Sequence, residues 1–508
     1  MNPFQRVMYY LAGRPQSAPA RQMRSMRSFY AGVTDRLTAG FQGTELSINE
    51  SLKKDLVKMR HRSRTLVNDN DYGKKFISMV KTNVIGGKGI RLQAKARGSD
   101  GKPDKMDNDA IETSWKDFSK LGNCSACGSL SMRDIQRLSI ASIATEGECF
   151  IRKVKRAVYK YGVALELVEA DRFDVNLNRE GKLDVNRIVM SIEFDEYNKP
   201  VAYYMLVGHP SETAYTFNGN KYERIAAADM IHLFVPERIA QARGIPWMHA
   251  SIRRLNMVGG YEEAELVAAR AGASKMGFYY TETGEEYKGD GTDSNGNLLQ
   301  EAEPGAFEQL PMGTKFEAYD PQHPTGAYNY FMTGVLKGAA AGLNVSYTGY
   351  TGDLTAVNYS SIRAGLIEER ENWRLIQGWF IEHAMANIYE WFLVGALSRG
   401  LIINAASVKL PLSRKEKFLE VTWQARGWAW VDPLKDQQAN DAAVAAGHKT
   451  NSAVVAATGE DLEEVYEQLQ WEKELAAKYG LDFSPQTGND DEEDDEDEPK
   501  KKDNKASD

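Results

Sequence analysis

A chain of 508 residues exceeds what one hydrophobic core fills, so two to four domains or lobes are expected. At 42% hydrophobic and 26% charged residues it has ample material for a core, and it has no uncharged apolar run long enough to span a membrane; the best candidate, 378–397, carries Glu382, His383 and Glu390. The net charge of −8 belongs to one end: residues 490–498 are nine consecutive acids, residues 489–508 sum to −7, and the rest is nearly neutral.

Residues 1–45 are rich in Arg, Ser and Met with little periodicity, and read as a flexible basic arm. "VMYYLAG" followed by "SAPA" echoes a signal peptide, but the apolar run is short and Arg14 interrupts the passage. Helical spacing begins at "SINESLKKDLVKMRHRSRTLVNDNDYGKKFISMVKTNVIG". Ser47 and Glu50 make a capping-box start, and Gly86-Gly87 a stop. Residues 51–100 hold thirteen Lys/Arg against four Asp/Glu, which suits either an anionic polymer or a solvated helix face. "IGGKGI" (85–90) lacks the spacing with which a phosphate loop cradles a nucleotide. Residues 105–145 give two more helices around "LGNCSACGSL". Cys124 and Cys127 form a single CxxC, and neither Cys149 nor the seven scattered histidines complete a zinc pattern, so the turn is read as carrying two free thiols. Three cysteines fit a reducing compartment without disulfides.

From "ECFIRKVKRA" to "ADMIHLFVPE" the alternation has period two and predicts several antiparallel strands. "GIPWMHASIRRLNMVGGYEEAELVAARAGA" returns to helical spacing. Pro246 is placed in its first turn, Met248, Ile252, Leu255 and Val258 on one face, and a bend at Gly259-Gly260. A strand-and-loop module, 275–325, contains the polar insert "GEEYKGDGTDSNGN" and leads to the helix "GAYNYFMTGVLKGAAAGL". Next comes "SYTGYTGDLTAVNYSS" (346–361), hydroxyl-rich, with Asp353 its single charge. The long helix behind it has the buried stripe Ile362, Leu366, Trp373, Ile376, Phe380, Ala384 and Ile388. On that helix Arg374 has Glu371 as a neighbour of opposite charge, whereas Arg363 and Arg370 have none and need tertiary partners, water or an external anion. With Lys337 they could form a basic rim beside Tyr347, Tyr350, Thr351 and Tyr359; the alternative for the tyrosines is packing of the loop onto its helix. After a short β stretch, residues 434–480 are Ala/Glu-rich helix, and the acidic tail 481–508 is expected to be disordered. The fold class is α+β, predominantly helical.

Four separated motifs, "HRSRTLVNDNDYGKKFISMVKTNVIGGKGIRLQ" (61–93), "HLFVPERIAQARGIPWMHASI" (232–252), "YDPQHPTGAYNYF" (319–331) and "AAGLNVSYTGYTGDLTAVNYSSIRAGLIEERENWR" (340–374), resemble phage portal proteins of the lambda family. The resemblance runs in order over roughly residues 45–480. It implies a homo-oligomeric ring, typically of twelve subunits, at one capsid vertex, conducting double-stranded DNA during packaging and ejection. It also implies docking of the terminase large subunit and later of head–tail connector proteins, a setting of major capsid and scaffold proteins, and assembly in the host cytoplasm. No cofactor, metal, catalytic residue or membrane partner is implied. The portal-like architecture maps as follows: wing 46–245 and 359–433, stem helices 246–274 and 326–343, clip 275–325, tunnel loop 344–358 and helical crown 434–480. The DNA-channel candidates on that mapping are Lys337, Tyr347, Tyr350, Thr351, Thr355, Asn358, Arg363 and Arg370. Gly349 and Gly352 are expected to give the loop backbone conformations closed to other residues.

Two rival classes stand beside this reading. A metal-dependent DNA-processing enzyme would need three carboxylates converging from different elements. A capsid-associated scaffold protein would form no closed ring.

Overall fold

The computed structural model describes residues 46–182, 185–211, 221–273, 277–281, 291–292, 298–299, 314–318, 328–355, 359–428 and 433–481. The basic arm, most of the clip insert, Asn358 and the acidic tail beyond 481 lie outside the described residues.

The first helical stretch is two helices, α1 (Ile48–Asp69) and α2 (Asp71–Val80), rather than one. Ser47 starts α1 by accepting the Glu50 N–H at 3.2 Å. Asn70 breaks the run: its φ of −122° is extended, its N–H closes α1 on the Leu66 carbonyl, and its side chain caps α2 at the Gly73 N–H. A Cβ at Gly73 would sit 2.5 Å from the Leu66 carbonyl oxygen, so the kink needs glycine there. A π turn, Lys81–Ile85, follows and stops at Gly86, whose φ is +72°. Then come β1 (Arg91–Ala94), α3 (Lys105–Phe118) and α4 (Met132–Glu146). A reciprocal capping box of Ser131 and Asp134 starts α4.

The alternating region forms β2 (Cys149–Lys155), β3 (Val163–Val168), β4 (Arg187–Val189), β5 (Ile192–Phe194), β6 (Pro200–Leu206), β7 (Tyr222–Ala226) and β8 (Met230–Leu233). They make two antiparallel sheets, β3-β2-β8 and the meander β4-β5-β6-β7.

Helix α5 (Ile252–Ala273) begins six residues after Pro246, which lies in the preceding turns, and it runs unbroken through Gly259 and Gly260. Met248, Leu255 and Val258 are buried, and Ile252 packs against the same core. Strand β9 (Gly277–Thr281), the short pair β10 (Gly291–Thr292) and β11 (Leu298–Leu299), and β12 (Thr314–Ala318) follow, with β9 antiparallel to β12. Helix α6 (Tyr328–Gly342) returns along α5 through Val258, Met332 and Leu336. A single turn, α7 (Tyr347–Thr351), precedes α8 (Tyr359–Phe380), which continues through a π turn (Ile381–Met385) into α9 (Ala386–Ser398). Trp373, Phe380, Ala384 and Ile388 of the expected stripe are buried, and Ile376 packs beside them.

After α10 (Lys415–Phe418), β13 (Val421–Gln424) pairs antiparallel with β1, from Arg91 opposite Gln424 to Ala94 opposite Val421. This pairing joins two segments more than 300 residues apart and closes the largest core, where Trp115 meets Tyr389, Phe392 and Trp423 edge-on. The chain then forms α11 (Pro433–Ala445), α12 (Asn451–Ala457) and α13 (Leu462–Tyr479).

Helix α13 buries no side chain. It is attached through its acidic first half: Glu463 and Glu467 to Lys105 (2.8 Å each), Glu464 to Arg91 (3.3 Å), with Glu460 just ahead of it on Lys88 (3.2 Å). Exposed pairs are individually weak and are screened by salt. Amide hydrogen exchange along 462–479 is therefore expected to accelerate several-fold between low salt and molar salt, while the α4 and α9 core stays protected. Equal protection of α13 at both salts would assign its docking to something other than these charges.

Candidate nucleic-acid interface

The hydroxyl-rich stretch between α6 and α8 is partly a folded knot rather than an open loop. Asn344 (φ +55°) turns the chain out of α6, and Ser346 caps α7 by accepting the Gly349 N–H at 3.2 Å. The Ser346 hydroxyl also donates to Glu369 of α8, whose other oxygen accepts from Trp373 Nε1 at 3.1 Å. Gly349 is required here for space, since a Cβ would meet Ser346 Oγ at 2.8 Å and Glu369 Oε2 at 3.2 Å. Of the two glycines, Gly352 has the left-handed backbone, with φ +78°, and Gly349 does not.

The sequence candidates fall into distinct environments. Tyr350 is 1% exposed and packs on Tyr72 with ring centroids 5.9 Å apart, so it takes the packing alternative. Its burial raises the phenol pKa. Tyr347 donates to Asp353 at 2.9 Å, and its ring lies 5.6 Å from Lys337 Nζ. Thr351 is half-buried and spends its hydroxyl on the Tyr347 carbonyl at 2.8 Å. Asp353 also accepts from the Thr355 hydroxyl at 2.6 Å and the Thr355 N–H at 3.0 Å; these bonds lower its pKa, so the single charge of the stretch stays ionised. Leu354 (62% exposed) and Thr355 form the open part of the loop.

On α8, Arg363 finds a tertiary partner in Asp436 at 3.1 Å, and Arg374 pairs with Glu371. Arg370 makes no hydrogen bond or ion pair among the described residues. Its guanidinium carbon lies 5.9 Å from the Trp428 ring centre, which Arg374 and Arg426 also approach, at 5.7 Å each. Trp428 is fixed by its Nε1–H donating to Asn83 Oδ1 at 3.2 Å, and Arg426 donates to the Thr82 carbonyl at 2.8 Å and Asn83 Oδ1 at 2.7 Å. Burial and the neighbouring Arg374 lower the pKa of Arg370; burial and Arg370 lower that of Arg426. Sequence spacing exposed the lone charge of Arg370 but not this cluster, because Trp428 and Arg426 sit more than 50 residues away.

The "HLFVPERIAQARGIPW" motif turns out to build a buried charged joint. Glu148, fully buried, accepts from Arg243 Nη2 (2.6 Å), Arg60 Nη2 (2.6 Å), His232 Nε2 (2.8 Å) and the Gly244 N–H (3.1 Å). Burial opposes its charge, but Arg243, the His232 bond and Arg60 together hold its pKa well below the ordinary carboxylate range. Burial lowers the pKa of His232, against the opposing pull of the Glu148 carboxylate that its Nε2 faces. Arg60 also reaches Asp171 at 3.0 Å, and Arg64 bridges Glu146 and Asp171. Sequence reasoning left this joint unnoticed; its signal was a glutamate directly before the apolar start, Cys149-Phe150-Ile151, of a strand. The basic block thus divides, with Arg60 and Arg64 spent inside, Arg91 on α13 and Lys88 on Glu460 just ahead of it.

Cys124 and Cys149 are buried thiols and Cys127 is exposed. Among the described residues no group of three or more His, Cys, Asp or Glu side chains is placed to hold a metal ion, and no helix is long and apolar enough to cross a membrane.

Comparison with known proteins bears on the whole of this arrangement. The family described as "Phage portal protein, lambda family" matches residues 34–377. The "Probable portal protein" of Halomonas phage phiHAP-1 is 31% identical over 471 residues, covering 90% of this chain and 89% of the relative. "Portal protein B" of Escherichia phage lambda is 20% identical over 458 residues, covering 83% of this chain and 84% of the relative. Among solved structures, a chain of "Virion of native gene transfer agent (GTA) particle" aligns with TM-score 0.42 and 12% identity over 88% of this chain and 98% of that one. A chain of "Neck of empty GTA particle computed with C6 symmetry" aligns with TM-score 0.41 and 13% identity over 84% and 94%. The ordered match of the family across most of the length, with a relative 31% identical over nearly all of both chains, makes this chain a member of the lambda family of phage portal proteins.

Proposed function

We propose that copies of this chain assemble into a closed ring, of twelve subunits by the family's habit, that conducts double-stranded DNA through a capsid vertex. In this reading α5 and α6 are the stem, residues 275–325 the clip, residues 46–245 and 359–433 the wing, 434–480 the crown, and 344–358 the loop facing the channel. The terminase large subunit docks at the clip during packaging, head–tail connector proteins replace it afterwards, and major capsid and scaffold proteins surround the wing.

The observation that carries the reading is the set of large apolar side chains left exposed on the two helices read as the stem. Helices α5 and α6 bury Val258, Met332 and Leu336 against each other, yet leave Met257, Leu266, Val267, Tyr330 and Phe331 exposed, Tyr330 at 84%. Five large apolar side chains exposed around two neighbouring helices are suited to cover by further copies of the chain on either side. The open part of the loop, Leu354 and Thr355, carries no charge, which suits contact with moving DNA, since each phosphate held by Lys or Arg adds strongly to affinity.

Negative-stain class averages of the purified protein, with sedimentation alongside, test this directly. Closed rings with a hole wide enough for duplex DNA are expected, and Tyr330→Asp with Leu266→Asp should shift the population toward monomer. A monomer at every protein and salt concentration would favour the scaffold alternative.

A further inference from the structure

Helix α13 is held to the rest of the chain at one end. Its ion pairs with Arg91, Lys105 and Lys116 all start from Glu463, Glu464 and Glu467. Beyond them, from Gln468 to Leu481, every residue except Ala476 is exposed. That free half carries Trp471, Leu475 and Tyr479 at spacings of four, which lines them up on one side of the helix, Tyr479 at 69% exposure, with Leu481 just past its end. Three large apolar side chains in a row, on a helix that buries none, make a docking surface without an occupant among the described residues.

Charge says what kind of occupant fits. The free half is itself balanced, Glu472 and Glu474 against Lys473 and Lys478, and its two acids accept from neutral neighbours, Gln468 at 2.9 Å and Gln470 at 3.1 Å. The sequence after the helix is not balanced: Asp482 and the nine acids of 490–498 follow it. Packing the same helix of a second copy against the row would set two such runs side by side. A cationic segment meets the row without that repulsion, and the C-terminal end of a helix favours positive charge. Of the two basic stretches of the chain, 51–100 is committed in large part, Arg60 and Arg64 to buried acids, Lys88 and Arg91 to Glu460 and Glu464. The other, residues 1–34, has five arginines, no lysine and no acid. Within it "RQMRSMRSFY" (21–30) interleaves Arg21, Arg24 and Arg27 with Met23, Met26, Phe29 and Tyr30.

We propose that the chain's own basic arm, residues 1–34, docks on the Trp471–Leu475–Tyr479 row of α13, with the acids that follow the helix supplying the counter-charge. The chemistry of the two segments matches. Guanidiniums stack on the faces of Trp and Tyr and pair with carboxylates, which lysine does less well, and the arm's charge is all arginine. Methionine adapts to an apolar row and its sulfur favours aromatic rings, which suits Met23 and Met26 to Trp471 and Tyr479. The contact joins the two ends of the chain at the free half of α13, away from the acids that hold the helix to the wing. It goes beyond the reading of the chain as a conducting ring and does not depend on it.

The test is photo-crosslinking in the purified full-length protein, with p-benzoylphenylalanine in place of Leu475 and, as a control, in place of Tyr197, exposed on the turn between β5 and β6. Mass spectrometry of the digested products is expected to find residues 1–34 joined to position 475 and not to position 197. Arg21→Gln, Arg24→Gln and Arg27→Gln together should cut that yield about fivefold or more, since three cation–π and ionic contacts are lost. Replacing the nine acids of 490–498 by serine should lower it at low salt to the level that the unaltered protein gives in molar salt. In the protein without the crosslinker, amide exchange across 471–479 should rise several-fold in the triple glutamine variant, while 462–467 keeps its protection because the contacts with Arg91, Lys105 and Lys116 are untouched. Crosslinks from position 475 to α13 of another copy or to the wing in place of the arm, equal capture of the arm at position 197, or a yield indifferent to the three arginines would each overturn the proposal. Closed rings, scored separately by microscopy, report on the functional reading, so the two fail independently.

Discussion

Replacing Arg243 by alanine is expected to cost the folded chain about 3–5 kcal/mol, the range for breaking a buried ion pair by removing one partner. The reason lies in the number of bonds that meet at Glu148. Arg243, itself fully buried, donates to both carboxylate oxygens and also to the carbonyls of Ala170, Phe173 and Met190. Its loss leaves several buried acceptors unsatisfied and a carboxylate short of its main counter-charge. The helices α1 and α4, strands β2 and β8, and the turn before α5 all meet here, so the damage should appear as a large drop in the denaturation midpoint rather than as local fraying. A midpoint unmoved by Arg243→Ala would mean the joint is dispensable to the fold.

The same joint sets a pH dependence. His232 has its pKa lowered from 6.5 in the folded chain, so below that value the unfolded state binds the extra proton first and stability falls as pH drops. Glu148 has its pKa lowered too; its contribution is present above the unfolded carboxylate range and is lost progressively as pH falls from that range through the depressed value. Stability should therefore decline in two stages on acidification, with the first stage, which begins below pH 6.5, absent in His232→Gln. A single acid transition in both proteins would contradict this assignment.

The second large effect is expected at the loop. Leu354→Arg with Thr355→Arg places two positive charges per subunit on its open part. At ~0.5 kcal/mol for each exposed charge the sum around the proposed twelve-fold ring is on the order of 10 kcal/mol of added attraction for DNA. Packaging should stall, most severely at low salt, while rings assemble normally. These positions are chosen because Thr351 is committed to the Tyr347 carbonyl and Tyr350 to the core, so substituting either would damage the knot itself. Thr355→Ala, which removes the same hydroxyl bond to Asp353 without adding charge, should package normally. Measured side by side, full-length packaging by the double variant at every salt would place the loop away from DNA. Loss of the ring would make it a subunit interface.

Local patterning alone determined much of this protein. The period-two stretch became two antiparallel sheets, the stripe from Trp373 to Ile388 became the buried face of α8 and α9, and Ser47 capped a helix, because each depends on neighbours within a few residues. The motif order was equally legible, and with it the family. Breaks in helices were less so. Asn70 divides α1 from α2 through its own extended backbone, while Gly259-Gly260, read as a bend, stays helical, because a glycine pair permits a kink without imposing one. What only tertiary structure decided are the encounters between distant segments. Examples are β1 against β13, Glu148 among Arg60, His232 and Arg243, Arg363 on Asp436, and Arg370 beside Arg426 on Trp428. A charge without a partner at helical spacing announces that it needs one. Whether that partner is an acid, an indole or a phosphate depends on what the fold brings within a few ångströms, and no local pattern carries that information.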